Sequence, residues 1–454
     1  MPSLNEGSVA SEQGPTLLVV HCVDTEGPLD ENLRATFDRL HKLFDISLEP
    51  TEKNLKLLQS GAFRSGNTSF DKMIPVVFSE ALMSYNRNWS DIDKMLKIVF
   101  SRSFRESRLD DFGDPWRISW FCMDHVNYAS NPRAKALGYS VVHQHYKHWL
   151  EQNSNWRDEL QWHFHPKSIS GNPLAAATSY ANSTPEVIEI LARRIMEDHF
   201  FPSAYRPGFH AERPDSHFFL EQWIPYDFGN QYCEEKNLQS DMTNGRFGDW
   251  LRAPHTWSGY HPALHDYQRR GECRRTIFRC LNLGTRLRLL EEHHVTEAFK
   301  EAQIRGSAIL AFADHDFRDI TGDIDHLISM LALVKKDFPT VKIKYCGAQE
   351  AAQRIGGSFP YEFQLQAVLD GNLLRVKALQ GEVFGAQPFL ALRTKNGQYL
   401  HDNLDLARNE GEWLYTFDDQ TILLDSVEAI GVGAAGRFGG SNVVLIESIP
   451  GSSS

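Results

Sequence analysis

The chain has 454 residues, 41% of them hydrophobic and 23% charged, which is ordinary for a globular protein and too long for one small core. Its formal net charge of -12 argues against general nucleic-acid binding, because a phosphate backbone is met by an excess of Lys and Arg. No apolar run of about 18 or more residues predicts a membrane span, and six cysteines without Cys-x-x-Cys pairing read as thiols in a reducing cytoplasm, not as a disulfide frame.

Met1 to Pro15, rich in Ser, Gly and Glu and without the charged-then-apolar order of a signal peptide, read as a disordered lead. Thr16 to Val23 is a nearly continuous apolar and β-branched run, the pattern of a strand buried on both faces of a parallel sheet. It ends in Asp24-Thr25-Glu26-Gly27-Pro28. Carboxylates at i and i+2 of a strand share a face, and Gly-Pro stops the strand at an exposed tip; an acidic cap on the next helix is the competing reading. That helix carries Leu33, Phe37, Leu40 and Phe44 on one stripe. Residues 49–114 read as an insertion over one end of a barrel. Arg117 to Met123 is a second buried strand, and Asp124 at its end either lines a site or caps a turn.

Val141 to His148 holds three histidines on an amphipathic pattern and reads as a solvated helix face. Glu159 to Trp162 leads as a strand into His163-Phe164-His165, and Ser183-Thr184-Pro185-Glu186 starts a helix whose apolar face is Val187, Ile190, Leu191 and Ile195. In Arg206-Pro207-Gly208 an Arg precedes a rigid turn, either at the surface or fixed to bond a carboxylate twice. Ile224 to Asn230, with Asp227 inside it, ends another strand. Arg269, Arg270, Arg274, Arg275, Arg279, Arg286 and Arg288 form a basic concentration, read either as a receiver of substrate phosphate or as a solvated face.

Ala308 to Ala313 is again an uninterrupted strand, and it delivers Asp314-His315-Asp316, read either as a candidate acid whose flanking carboxylates would raise the imidazole pKa towards neutrality or as a strand-end His in a polar turn. A helix from Ile324 to Phe338, a strand from Val341 to Tyr345 and a helix before Gly356-Gly357 complete an α/β alternation. After Gly357 the texture changes to short strands at 363–368, 374–378, 389–393 and 443–446, separated by Asp-Gly, Asn-Gly and Gly-rich turns. The expected architecture is a distorted (β/α) barrel over residues 16–357 and a sandwich-like all-β appendage over 358–450, with strand ends bringing polar groups to one rim. His163 and His165, two apart on a strand, then face one way and within reach of a single metal ion, the competing reading being two ordinary surface or core histidines.

Four motifs in order give residues 16–350 a resemblance to the polysaccharide deacetylase family, the NodB-homology carbohydrate esterases. Asp24-Thr25-Glu26 is similar to the family's first motif, His163 and His165 to its metal histidines, Arg206-Pro207-Gly208 to its Arg motif, and His315 to its late histidine. The family's histidines stand three or four residues apart, so here a second ligand from elsewhere stays open. By the resemblance Asp24 would be the general base, oriented by Arg206, and Glu26 the metal carboxylate, with the exchange of those two roles also open. His315 would be the general acid. The cofactor implied is one divalent ion, with Zn2+ the default and Co2+, Ni2+ or Mn2+ alternatives. Trp162, Asp124, Phe209 and Asp227 are the candidate substrate contacts.

The resemblance implies N-deacetylation of a small or carrier-linked amino sugar in surface glycan synthesis. Hydrolysis of another amide, a formamide or cyclic ureide, and a catalytically silent carbohydrate-binding protein are the alternatives. The expected partner is an acetylated amino sugar, with a homo-oligomer left open.

Overall fold

The structure is a computed structural model that describes residues 14–125, 140–171, 179–233, 250–285 and 289–447. The calls on the N-terminal lead through residue 13, on Arg286 and Arg288 and on the C-terminal tail lie outside them. The first half of the chain supplies β1 (Thr16–Thr25), β2 (Ile118–His125), β3 (Glu159–His165), β4 (Ala204–Pro207) and β5 (Tyr226–Asn230). A short hairpin, β6 (Pro262–Ala263) and β7 (Asp266–Arg270), precedes β8 (Thr276–Asn282), β9 (Ser307–His315) and β10 (Lys342–Cys346).

Parallel strands in the order β1-β2-β3-β4-β5-β8-β9 close into a seven-stranded barrel, because β9 returns to pair with β1 from Thr16 to Asp24. The other edge of β1 is shared: β10 pairs with Thr16 to Val20 and β2 takes over from His21. Side chains alternate across a strand, and that alternation sorts the barrel. Leu18, Val20, Cys22, Phe121, Ala204, Tyr226, Phe228, Phe278, Cys280, Ile309, Ala311 and Ala313 fill the interior as one cluster. The intervening residues, among them Leu17, Val19, Val23, Trp120, Leu310 and Phe312, face an outer layer of helices. The small face of the helix Ala348–Ile355, with Ala348, Ala351 and Ala352, joins the interior cluster and packs on β1 and β9.

Six helices separate β1 from β2, so the excursion expected over 49–114 already includes the helix Leu33–Phe44. That helix and the helices Glu52–Gln59 and Thr68–Val77 build a small core of their own around Phe37, Leu40, Leu58 and Phe78. The helix Trp89–Val99 instead adds Ile92, Met95, Leu96 and Val99 to the outer layer of the barrel.

The appendage is two four-stranded antiparallel sheets. Its strands are β11 (Gln364–Asp370), β12 (Leu373–Gln380), β13 (Phe389–Thr394), β14 (Tyr399–Asp402), β15 (Asp405–Leu406), β16 (Glu412–Thr416), β17 (Val427–Ala435) and β18 (Ser441–Ile446). The sheet β11-β12-β16-β15 and the sheet β14-β13-β17-β18 share a core that includes Leu374, Val376, Trp413, Leu390 and Val432. The opposite face of the second sheet, with Phe389, Ala391 and Ala429, packs into the same cluster as Ile190, Leu191 and Ile195 of the helix Thr184–Asp198. At Gly431 and Gly433 a Cβ would come within 2.5 and 2.8 Å of Ile195, so the bare backbone is what lets the sheet lie on the helix. No helix among the described residues is long and apolar enough to cross a membrane.

Candidate metal centre

Polar side chains collect at the C-terminal ends of the barrel strands, above the apolar interior. Asp24 on β1, His163 and His165 on β3, Arg206 on β4 and His315 on β9 all have the inward parity, and Glu26 lies two residues beyond Asp24. The register brings them level: Asp24 pairs with His315, and His163 with Arg206.

Glu26, His163 and His165 are the one group among the described residues whose ligand atoms all lie within 4.8 Å of one another with the composition of a metal site. Nε2 of His163 and Nε2 of His165 are 2.8 Å apart, and Oε1 of Glu26 lies 3.8 and 3.5 Å from them. Ligand atoms about 2.0–2.1 Å from one ion at tetrahedral angles stand roughly 3.3 Å apart, a separation these three edges bracket. Nδ1 of His163 is 3.0 Å from the backbone oxygen of Arg206, which accepts its proton and leaves Nε2 as the lone-pair nitrogen. The donor set therefore could hold a divalent ion, with both histidines of the His-x-His pair among its ligand atoms.

Asp24 is bound differently. Arg206 Nε and Nη2 donate to its two oxygens at 2.6 and 3.0 Å, while Nη1 donates to the carbonyl of Phe228 at 2.6 Å. Both residues are fully buried. Burial alone would push the Asp24 carboxyl up, but the Arg206 guanidinium, with His163 and His315 in support, holds it well below the usual carboxylate range. This division makes Glu26 the carboxylate of the candidate metal group and Asp24 the carboxylate beside it. His315 completes the ring, its Nε2 at 4.0 Å from Asp24 Oδ2 and 3.9 Å from Glu26 Oε1.

Phe209 and His210 follow the Arg motif with φ of 54° and 56°, a left-handed conformation unusual for side chains of this size. The Phe209 ring lies 4.9 Å from His165 and the His210 ring 6.3 Å from His315. Gly208 lies under His165: a Cβ there would be 2.7 Å from its ring.

Three candidate substrate contacts are placed elsewhere. Trp162, Asp124 and Asp227 have the outward parity and no surface on the site side. Trp162 is in the core with Phe164, Val187 and Leu191, and its Nε1 donates to Asp124 at 2.8 Å. Asp124 is ion-paired with Arg194 of the outer helix, and burial lifts its carboxyl to about 6. Asp227 is ion-paired with Arg275, whose guanidinium also meets Glu212 at 2.6 Å. Neither reading of the basic run, phosphate receiver or solvated face, therefore fits Arg275, nor Arg279, which is buried against Glu297 and the carbonyls of Tyr232 and His255. Asp314 also points outward, to His21 Nε2 at 3.0 Å, so the carboxylates that face His315 are Asp24 and Glu26, not its sequence neighbours. Of the three histidines read as a solvated face of the helix Val141–Gln152, only His148 is exposed: His143 is buried, and His145 sits on the Trp89 ring with its Nε2 3.0 Å from Asp93.

Sequence reasoning assigned no role to Tyr146, took Gly208 only as part of the turn after Arg206, and read Asp316 only as a charge beside His315. Fold and site together define a closed (β/α) barrel with a candidate metal centre at the C-terminal rim. No protein-family profile, curated protein or solved structure matches the chain.

Proposed function

We propose that this chain is a metal-dependent amide hydrolase that removes the N-acetyl group from an amino sugar, the reading carried above all by the Glu26, His163 and His165 triangle. A divalent ion held by those residues would act as a Lewis acid and acidify water, which lets so weak a base as Asp24 accept a proton. Asp24 is kept ionised and oriented by Arg206 at two points. His315, across the rim from Asp24, gives a proton to the departing amine nitrogen, without which the C–N bond does not break at a useful rate. Phe209, packed on His165, supplies an apolar wall for the acetyl methyl. The resemblance to the NodB-homology deacetylases and the barrel with its strand-end site point the same way.

The sugar is small or carrier-linked, and the reaction belongs to the cytoplasm; six free cysteines, five of them buried, support that compartment. Elemental analysis of the wild type, His163→Ala and His165→Ala tests the reading, together with acetate release from a panel of N-acetylated amino sugars. Close to one ion per wild-type chain, lost in both variants, and acetate release by the wild type alone are expected. A wild type that takes up no divalent metal after zinc dialysis refutes it.

A further inference from the structure

Glu26 and Gly27 lie just past the end of β1, where the ladder no longer offers their N–H groups a strand partner. A single buried carboxylate takes both. Asp316 Oδ1 accepts the N–H of Glu26 at 2.8 Å and Oδ2 accepts that of Gly27 at 2.9 Å, and the Tyr146 hydroxyl donates to Oδ2 at 2.9 Å. Gly27 has φ 73°, a conformation glycine adopts without strain. Asp316 is itself fixed: its N–H lies 3.4 Å from the Asp24 carbonyl, and its own carbonyl accepts from Asn86 Nδ2 at 2.8 Å. On the opposite side Thr25 Oγ1 donates to the Phe121 carbonyl at 3.1 Å, so the tip of β1 is tied to both neighbouring strands.

We propose that Asp316 is the positioning residue for Glu26, clamping the Glu26–Gly27 backbone so that the Glu26 carboxylate stays turned to His163 and His165. The proposal rests on the metal reading of that group. A ligand oxygen must be held to about 0.2 Å of its coordination distance, and an acidic residue outside any strand reaches that precision only if its backbone is pinned. Asp316 pins it with two charge-assisted hydrogen bonds at successive residues. Losses of such supporting bonds cost about 10–100-fold in metal affinity.

The test uses full-length wild type, Asp316→Asn and Tyr146→Phe, each stripped of metal and titrated with Zn2+ against a chromophoric chelator, with thermal unfolding of the metal-free proteins alongside. Asp316→Asn is expected to bind zinc about 10–100-fold more weakly, and Tyr146→Phe, which removes one hydrogen bond to the Asp316 carboxylate and leaves those from Glu26 and Gly27, more weakly than wild type but by a smaller factor. A merely structural Asp316 would lower the unfolding temperature and leave the affinity of the folded protein unchanged. Wild-type affinity in folded Asp316→Asn, or in Tyr146→Phe should Asp316→Asn not fold, overturns the clamp while the metal centre stands. A wild type that binds no zinc overturns the metal centre and the clamp with it.

Discussion

Placing one methyl group on Gly208 tests whether His165 is a ligand. The new Cβ would lie 2.7 Å from Cγ and Cδ2 of His165 and 2.7 Å from the carbonyl oxygen of Phe164, where ordinary contact begins at 3.4 Å. Gly208 is not in the left-handed region, so the cost comes from space and not from φ. The Phe164 carbonyl belongs to the β3 backbone, paired with β4, so relief of that contact takes a small shift of the residue 208 backbone, and the His165 ring is the freer of the two obstacles. The imidazole must give way by about 0.7 Å, several times the roughly 0.2 Å a metal ligand tolerates. Overpacking of this kind costs about 1–3 kcal/mol. Gly208→Ala is therefore expected to bind zinc about 10–100-fold more weakly, equivalent to about 1.4–2.8 kcal/mol, with the barrel still folded. Chelator competition measures the affinity and far-ultraviolet circular dichroism the fold. Wild-type zinc affinity in Gly208→Ala would remove His165 from the ligand set.

His315→Gln is expected to retain zinc while losing about 10²–10⁴-fold of acetate release; near-normal turnover would show that the leaving amine takes its proton elsewhere. Arg206→Lys replaces a two-point pair by a single ammonium. The Asp24 carboxyl, lifted by burial and now less strongly pulled down, rises from its depressed position, and the acidic limb of the pH–rate profile moves to higher pH; an unmoved limb refutes the pairing role. Burial pushes Asp314 up to about 7 against the pull of Arg318, and Asp323, raised by burial and by Asp314, to about 7 as well. A carboxyl raised on folding stabilises fully below its unfolded pKa near 4 and loses that contribution as pH climbs to about 7. Asp314→Asn mimics the protonated form, so at pH 7.5 it should melt above wild type. The bound from a single site is about 4 kcal/mol and sharing within the pair reduces it to about 1–2 kcal/mol. The difference should vanish by pH 4, and a variant that melts lower at pH 7.5 refutes the assignment.

The candidate site was legible because its parts are local: strand runs ending in Asp24, His163, Arg206 and His315 announce themselves one at a time, and a shared rim follows from the α/β alternation. The errors among substrate contacts have one cause. Trp162, Asp124 and Asp227 sit one residue out of phase with His163, Met123 and Phe228, and a strand turns such neighbours to the helix layer. Taking parity from Cys22 and Asp24 outward would have separated them. Closure of β9 onto β1 and the hydrogen bonds from Glu26 and Gly27 to Asp316 join distant residues through backbone groups, which carry no side-chain signature. β17 was missed because Gly431 and Gly433, needed for close approach to Ile195, resemble turn residues. His143 and His145 looked solvated because the carboxylates they meet, Asp198 and Asp93, come from other helices.

The sharing of β1 between three partners has a kinetic side. β1 precedes in the chain the residues 307–315 and 342–346 with which it pairs, so those hydrogen bonds wait for almost the whole barrel to emerge. At roughly 5–20 residues per second that wait is on the order of tens of seconds. Through it, Thr16 to Val23 is a bare β-forming segment, open to pairing with other chains. The helical core around Phe37, Leu40 and Phe78 is drawn from contiguous sequence directly behind it, so its own contacts do not wait for the later strands.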